Sequence, residues 1–152
     1  MRAPAAPRAA LGLFLRTDLR APNRTIVAAR LDDADPARWR TVVPESEHAI
    51  EGAAMTQDRV VVQTLVDVRS RLALWTHDGT LAGDVALPTA GTVGGLSARQ
   101  DSRDLFYAFT SFLYPAAIFR WNAAAAASER FDSSVASIPS AQSSISSFVS
   151  RA

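Results

Sequence analysis

Residues 104–121 read DLFYAFTSFLYPAAIFRW, two runs of large apolar residues hinged on Tyr114-Pro115. Each run is short, aromatic and β-branched, which favours a strand over a helix. Proline fixes φ and offers no N–H to a ladder, so the hinge reads as the connection between two neighbouring strands. The same unit recurs elsewhere in the chain.

Three segments share one order of features: a strand ending in Thr, a short polar or proline-containing connection, a second strand, then a turn and a third strand. They are LFLRT (13–17), TIVAARL (25–31) and WRTVV (39–43); RVVVQT (59–64), RLALW (71–75) and LAGDVAL (81–87); and DLFYAFT (104–110), AAIFRW (116–121) and SERF (128–131). Thr17, Thr64 and Thr110 lie 47 and 46 residues apart; Ile26, Leu72 and Ile118 lie 46 and 46 apart; Val43, Leu87 and Phe131 lie 44 and 44 apart. Two units begin with an extra strand-like stretch, IEGAAM (50–55) and GTVGGLS (91–97). Four short strands repeating every ~40–50 residues is the pattern of β-propeller blades, small twisted antiparallel sheets that bury their faces on one another.

Local chemistry agrees. His77-Asp78-Gly79 supplies an Asp-Gly turn between two strands. Ala21-Pro22-Asn23 fills the first unit's connection as Tyr114-Pro115 fills the third's. The alanines of 123–127 favour helix, but five are too few for a stable one, so this stretch reads as a hairpin loop. The expected organisation is an irregular segment over 1–12, a partial all-β propeller over 13–132 with blades at about 13–49, 50–90 and 91–132, and a disordered tail over 133–152. That tail holds nine serines in twenty residues and buries too little apolar surface to offset its ordering entropy.

Composition narrows the function. The chain has 152 residues, 48% of them apolar and 20% charged, as in a globular domain with a real core. Sixteen basic residues against fifteen acidic, interspersed, leave no basic stripe for phosphates, so no nucleic-acid partner is expected. Nowhere do about 18 apolar residues run together, so no membrane span is expected. With no cysteine there is no thiolate nucleophile and no Cys-based metal site, which fits a reducing compartment. Cytoplasmic location is the expectation, with the periplasm open for an intact relative. MRAPAAPRAALGLFL carries two early arginines, but its prolines and the lack of a small-residue cleavage site argue against a signal peptide.

Candidate chemistry is thin. A serine nucleophile elbow needs G-x-S-x-G, because a strained strand-to-helix turn tolerates only small flanking residues. Gly95-Leu96-Ser97-Ala98-Arg99 ends in Arg and lies in an expected strand. His48 sits in an acidic loop and His77 in a turn, neither with a ligand-spaced partner. Asp32, Asp33 and Asp35 lack the glycine and terminal Glu of a calcium loop. Gly91, Gly94 and Gly95 do not form a phosphate-binding G-x-G-x-x-G and are expected to let innermost strands converge on an axis. Trp75 and Trp121 recur at one place in two units, as repeated packing residues would. The expected catalytic, cofactor-binding and metal residues are none, and no cofactor is implied.

The stretch from about Thr17 to Phe131 resembles the propeller of the prolyl oligopeptidase family of serine peptidases. The motifs that carry the likeness are T-D-x-x-A-P-N-R (17–24), W-R-x-V-V-P-E (39–45), D-G-T-L (78–81), G-T-V-G-G-L-S (91–97) and F-T-S-F-L-Y-P-A-A-I-F-R-W (109–121). The resemblance implies about three blades, roughly the last three, of a seven-bladed propeller. It also implies an intact enzyme that cleaves short peptides after proline with a Ser-Asp-His triad on a separate α/β-hydrolase domain, the propeller gating access. No triad position carries over, because where the hydrolase domain would follow, this chain has the serine-rich stretch. That departure, with the N-terminal MRAPAAPRAALG, reads as a truncated or frame-shifted frame. The expected function is therefore a partial propeller inactive alone; the alternative is an autonomous peptide- or protein-binding module. Open propeller fragments expose strand edges and need oligomers to close.

Overall fold

Val60, Val61 and Val62 are all buried, yet they do not share an environment: Val60 and Val62 belong to one core cluster and Val61 to another. Alternate side chains of a strand point to opposite faces, so this strand must be covered on both sides. In the computed structural model, which describes residues 12–33, 35–113 and 115–131, it is the second strand of a middle sheet between two others.

The first sheet is β1 (Gly12–Thr17), β2 (Thr25–Arg30) and β3 (Arg40–Val43), in that order. The second is β4 (Ile50–Met55), β5 (Val60–Val66), β6 (Arg69–Trp75) and β7 (Leu81–Asp84), and the third is β8 (Thr92–Ala98), β9 (Asp104–Thr110), β10 (Ala117–Asn122) and β11 (Ala127–Arg130). Every pairing is an antiparallel one between strands consecutive in the chain. A short 3-10 helix, Pro36–Arg38, with Asp35 capping it, leads into β3. The expected all-β, four-strand repeat is thus present in full in the second and third sheets. The serine-rich stretch from 133 and the segment up to 11 lie outside the described residues, as does Tyr114.

Two apolar interfaces hold the sheets face to face. Ile26, Val42 and Val43 of the first sheet meet Ile50, Val60 and Val62 of the second. Val61, Leu72, Leu74 and Val85 of the second meet Val93, Leu105, Tyr107, Phe109, Phe119 and Trp121 of the third. The aromatic side of this second interface is ordered: the Tyr107 and Phe119 rings stack at 5.5 Å, and Phe109 meets Phe119 edge-on at 5.9 Å. The two tryptophans occupy matching places, Trp75 opposite Val60 and Trp121 opposite Leu105, each against the sheet before it.

The turns follow their chemistry. Gly79, at φ +100°, closes the β6–β7 hairpin, and a Cβ there would also come within 3.2 Å of the Val42 carbonyl. Asn122 Oδ1 accepts from the backbone of Ala124 and Ala125, so the alanine stretch forms a turn into β11 and no helix. β5 runs past Thr64 to Val66 and turns on two residues, Asp67 and Val68, both with positive φ (49° and 64°), as a type I′ hairpin requires.

Register departs from the counted period at two places. Ile26 pairs with Val43, but the residue whose N–H reaches Leu72 is Val85, not Leu87; in the third sheet Phe131 reaches Ile118. Leu87 lies past the end of β7 and packs on the edge of the core. Thr17 and Thr64 pair just before Ile26 and Leu72, whereas Phe109 holds that place in the third sheet and Thr110 falls one residue beyond. Constant spacing in sequence conceals the slip, because the connections differ in length: seven residues between β1 and β2, two between β5 and β6 and six between β9 and β10.

Candidate functional site

The innermost strands, β4 and β8, each carry a register shift near their first residues, between Ile50 and Gly52 and between Val93 and Gly95. A bulge turns carbonyls out of the ladder, and in both sheets a polar side chain from the preceding sheet takes one. Arg16 Nη1 donates to the Glu51 carbonyl at 2.8 Å, and Gln63 Nε2 donates to the Val93 carbonyl at 2.8 Å. Arg16 pairs with Ile26 and Gln63 with Leu72, so the two side chains stand at the same register position of successive sheets. Arg24 adds a bond to the Ile50 carbonyl at 2.7 Å, and the Ser70 hydroxyl accepts from the Val93 N–H at 2.8 Å.

Arg16, Glu51, Gln63 and Val93 border a groove of about 590 Å³ on the inner side of the sheets, walled also by Phe14 and Leu96. Its charged groups are Arg16 and Glu51, and Arg16 is already engaged on backbone. Such a lining can bind and cannot supply a nucleophile. Gly95 faces open space here: a Cβ would meet nothing within 4 Å, and one on Gly94 only the Ala108 Cβ at 4.0 Å, whereas one on Gly52 would meet Gln63 Oε1 at 3.1 Å and Leu96 at 3.7 Å. Close approach therefore falls at Gly52 and at Gly91, where a Cβ would lie 2.5 Å from the Thr110 carbonyl oxygen. A second groove, about 610 Å³, lies between the β5–β6 turn and the β9–β10 connection, with Val68 and Phe112 as exposed walls.

The structure does not gather the residues that sequence singled out into a reactive cluster. Ser97 is exposed near the end of β8 opposite Phe106, with no strand-to-helix turn. His48 lies beside Glu47 at 3.5 Å, while the His77 ring packs 5.4 Å from Phe14 and its carbonyl accepts from Arg40. Asp32 and Asp33 pair with Arg30 and Arg38, and the Arg30 guanidinium holds the Asp32 carboxyl below its ordinary range. Among the described residues no three His, Asp or Glu side chains could hold a metal ion, and no helix is long and apolar enough to cross a membrane. The perturbed groups are structural: Asp104 is held low by Arg120 and then Asn122, and burial pushes the Tyr107 phenol up.

Arg16, Arg24 and Gln63, the inter-sheet ties, escaped the reading of sequence. The available signal was a long polar side chain breaking an otherwise apolar strand at the same place in two repeats.

Successive antiparallel sheets, one of three strands and two of four, each stacked face to face on the next, define a segment of a β-propeller. The model of the prolyl oligopeptidase N-terminal beta-propeller domain matches residues 10–134, and the chain belongs to that family. It is 27% identical over 110 residues to the prolyl endopeptidase of Elizabethkingia miricola, a match covering 72% of this chain and 16% of that protein. It is also 27% identical over 118 residues to that of Elizabethkingia meningoseptica, covering 77% and 16%. A solved structure from work on two prolyl endopeptidases superposes with a TM-score of 0.72 at 25% identity, over 78% of this chain and 18% of that one. Prolyl oligopeptidase B from Galerina marginata, without ligand, shares the fold at a TM-score of 0.69 and 17% identity, over 80% and 18%. The chain spans about a sixth of the length of the curated relatives it matches.

Proposed function

We propose that these residues are part of the propeller of a prolyl oligopeptidase-type serine endopeptidase, an enzyme that hydrolyses short proline-containing peptides after proline, and that the propeller gates access to a hydrolase domain. The family match over residues 10–134 carries this reading. The blades are assigned to about 13–49, 50–90 and 91–132, in a ring of seven. No side chain lining the inner groove is suited to attack an acyl group, and on this reading the 152-residue polypeptide alone is inactive. Cytoplasmic location belongs to the same proposal, as a chain without cysteine works unchanged in a reducing compartment. The test is chromophore release from a proline-linked peptide by the purified chain: no release is expected, and release abolished by a serine-directed inhibitor overturns the reading.

The groove between Val68 and Phe112 favours a second reading, an autonomous peptide-binding module. Backbone amide shifts of Asp67–Arg69 and Thr110–Phe112 on titration with a proline-containing peptide support it, and an unchanged spectrum excludes it.

A further inference from the structure

Strand register defines an apolar triplet that repeats in each sheet. Pairing Ile26 with Arg16, Leu72 with Gln63 and Ile118 with Ala108 makes these three pairs equivalent. Two residues before each partner on the inner strand stand Phe14, Val61 and Phe106; bonded to the outer side stand Val43, Val85 and Phe131. The triplets are therefore Phe14, Ile26, Val43; Val61, Leu72, Val85; and Phe106, Ile118, Phe131.

The first triplet packs on the second sheet and the second on the third. Ile26 and Val43 are buried to 3% and 4% exposure, and Val61, Leu72 and Val85 to 0%, 0% and 4%. The third triplet keeps the same apolar character but Ile118 is 45% exposed and Phe131 49%, with the Phe106 and Phe131 rings edge-on at 5.4 Å. At the opposite end, β1 contains no buried residue, whereas five of the residues of its counterpart β5 are buried. Leu13 is 46% exposed, and by register it stands where Val60 and Leu105 stand in the sheets that receive a triplet. Leu15 likewise matches Val62 and Tyr107. Among the described residues, both halves of the internal interface are thus left uncovered, one on the first sheet and one on the third.

We propose that the Phe106, Ile118, Phe131 face docks the Leu13, Leu15 face of a second copy of this chain, so that copies of the 152-residue polypeptide add head to tail. The argument for this occupant is continuity: the new contact repeats, residue for residue, the one already made twice within the chain. Arg120 lies on the docking face, but Asp104 at 2.9 Å and Glu129 at 3.2 Å already pair with it, so contact does not leave the guanidinium unpaired. Ala108 stands where Arg16 and Gln63 supply donors, so the contact is apolar only and weaker than the internal ones. A head-to-tail contact is heterologous and grows until a ring closes or one end is blocked. The inference rests on the propeller fold and is independent of the peptidase reading, since hydrolysis and assembly are measured separately.

Sedimentation velocity on the full chain, from micromolar to near-millimolar, tests it. The expected result is a mass rising with concentration beyond the monomer. Ile118→Asp and Leu13→Asp each abolish assembly alone, and mixing them restores a one-to-one dimer that grows no further, because each variant keeps the half the other has lost. Far-ultraviolet circular dichroism checks that each variant keeps its β-sheet; Phe131→Ser replaces Ile118→Asp if that variant unfolds. A chain monomeric throughout, aggregates that neither substitution affects, or two variants that stay monomeric when mixed overturns the proposal.

Discussion

Gln63 of β5 holds the carbonyl of Val93 in β8 at 2.8 Å from inside a buried site, joining two sheets whose shared core is otherwise apolar beside the Ser70 bond to the Val93 N–H. A hydrogen bond in such surroundings is costly to break one-sidedly, since the remaining carbonyl loses its partner without regaining water. Gln63→Ala is expected to destabilise the chain by about 2 kcal/mol. Arg16→Ala, which removes the matching but exposed tie to Glu51, is expected to cost under about 1 kcal/mol. Urea midpoints of the two variants check the ranking, and an equal shift refutes the burial argument.

Gly91 precedes β8 where no side chain fits. A Cβ would lie 2.5 Å from the Thr110 carbonyl oxygen and 2.6 Å from the Phe109 ring, and Phe109 is itself buried in the core. Gly91→Ala is expected to destabilise by about 3 kcal/mol through overpacking. Gly95→Ala, four residues on with nothing within 4 Å, is expected to be neutral or slightly stabilising, because alanine loses less backbone entropy on folding. Thermal unfolding of the pair separates steric exclusion from a general need for glycine in this strand.

Val68 is a β-branched residue held at φ 64° at an 84% exposed turn tip. The left-handed region costs an L-residue roughly 1–2 kcal/mol, and nothing of the side chain's packing offsets it. Val68→Gly is expected to raise stability by about 1 kcal/mol after the glycine entropy term. A lowered denaturation midpoint contradicts this.

Asp104 accepts from Arg120 at 2.9 Å and from Asn122 at 2.5 Å, and these partners hold its carboxyl below the ordinary value. A depressed folded pKa contributes stability that is fully present above the unfolded value near ~4 and is lost as pH falls through the folded one. Asp104→Asn lacks this contribution, so its stability is expected to decline less steeply between about pH 4 and pH 2 than that of the parent. Carboxyl carbon shifts against pH check the site directly, and an Asp104 midpoint at or above the ordinary value refutes the assignment.

How much of this was legible before folding differs from one residue to the next. Sequence alone puts Ser97 in a strand, and it lies in β8; it makes the alanine stretch a hairpin loop, and that stretch turns β10 into β11; the Asp78-Gly79 turn lies between β6 and β7. Each of these rests on a property of a few adjacent residues. Val85 and Phe109 were missed as the true register equivalents, because bulges and loop lengths shift pairing without changing composition.

Strand identity, the repeat and the kinship with prolyl oligopeptidase propellers were determined by the order of residues alone, since alternation, β-branching and turn chemistry act over short range. Which carbonyl Gln63 reaches, why Gly91 tolerates nothing larger, and that Ile118 meets solvent where Leu72 meets a neighbouring sheet were decided only by the tertiary structure. A strand announces that it has two faces; what lies against each is set by where distant segments pack.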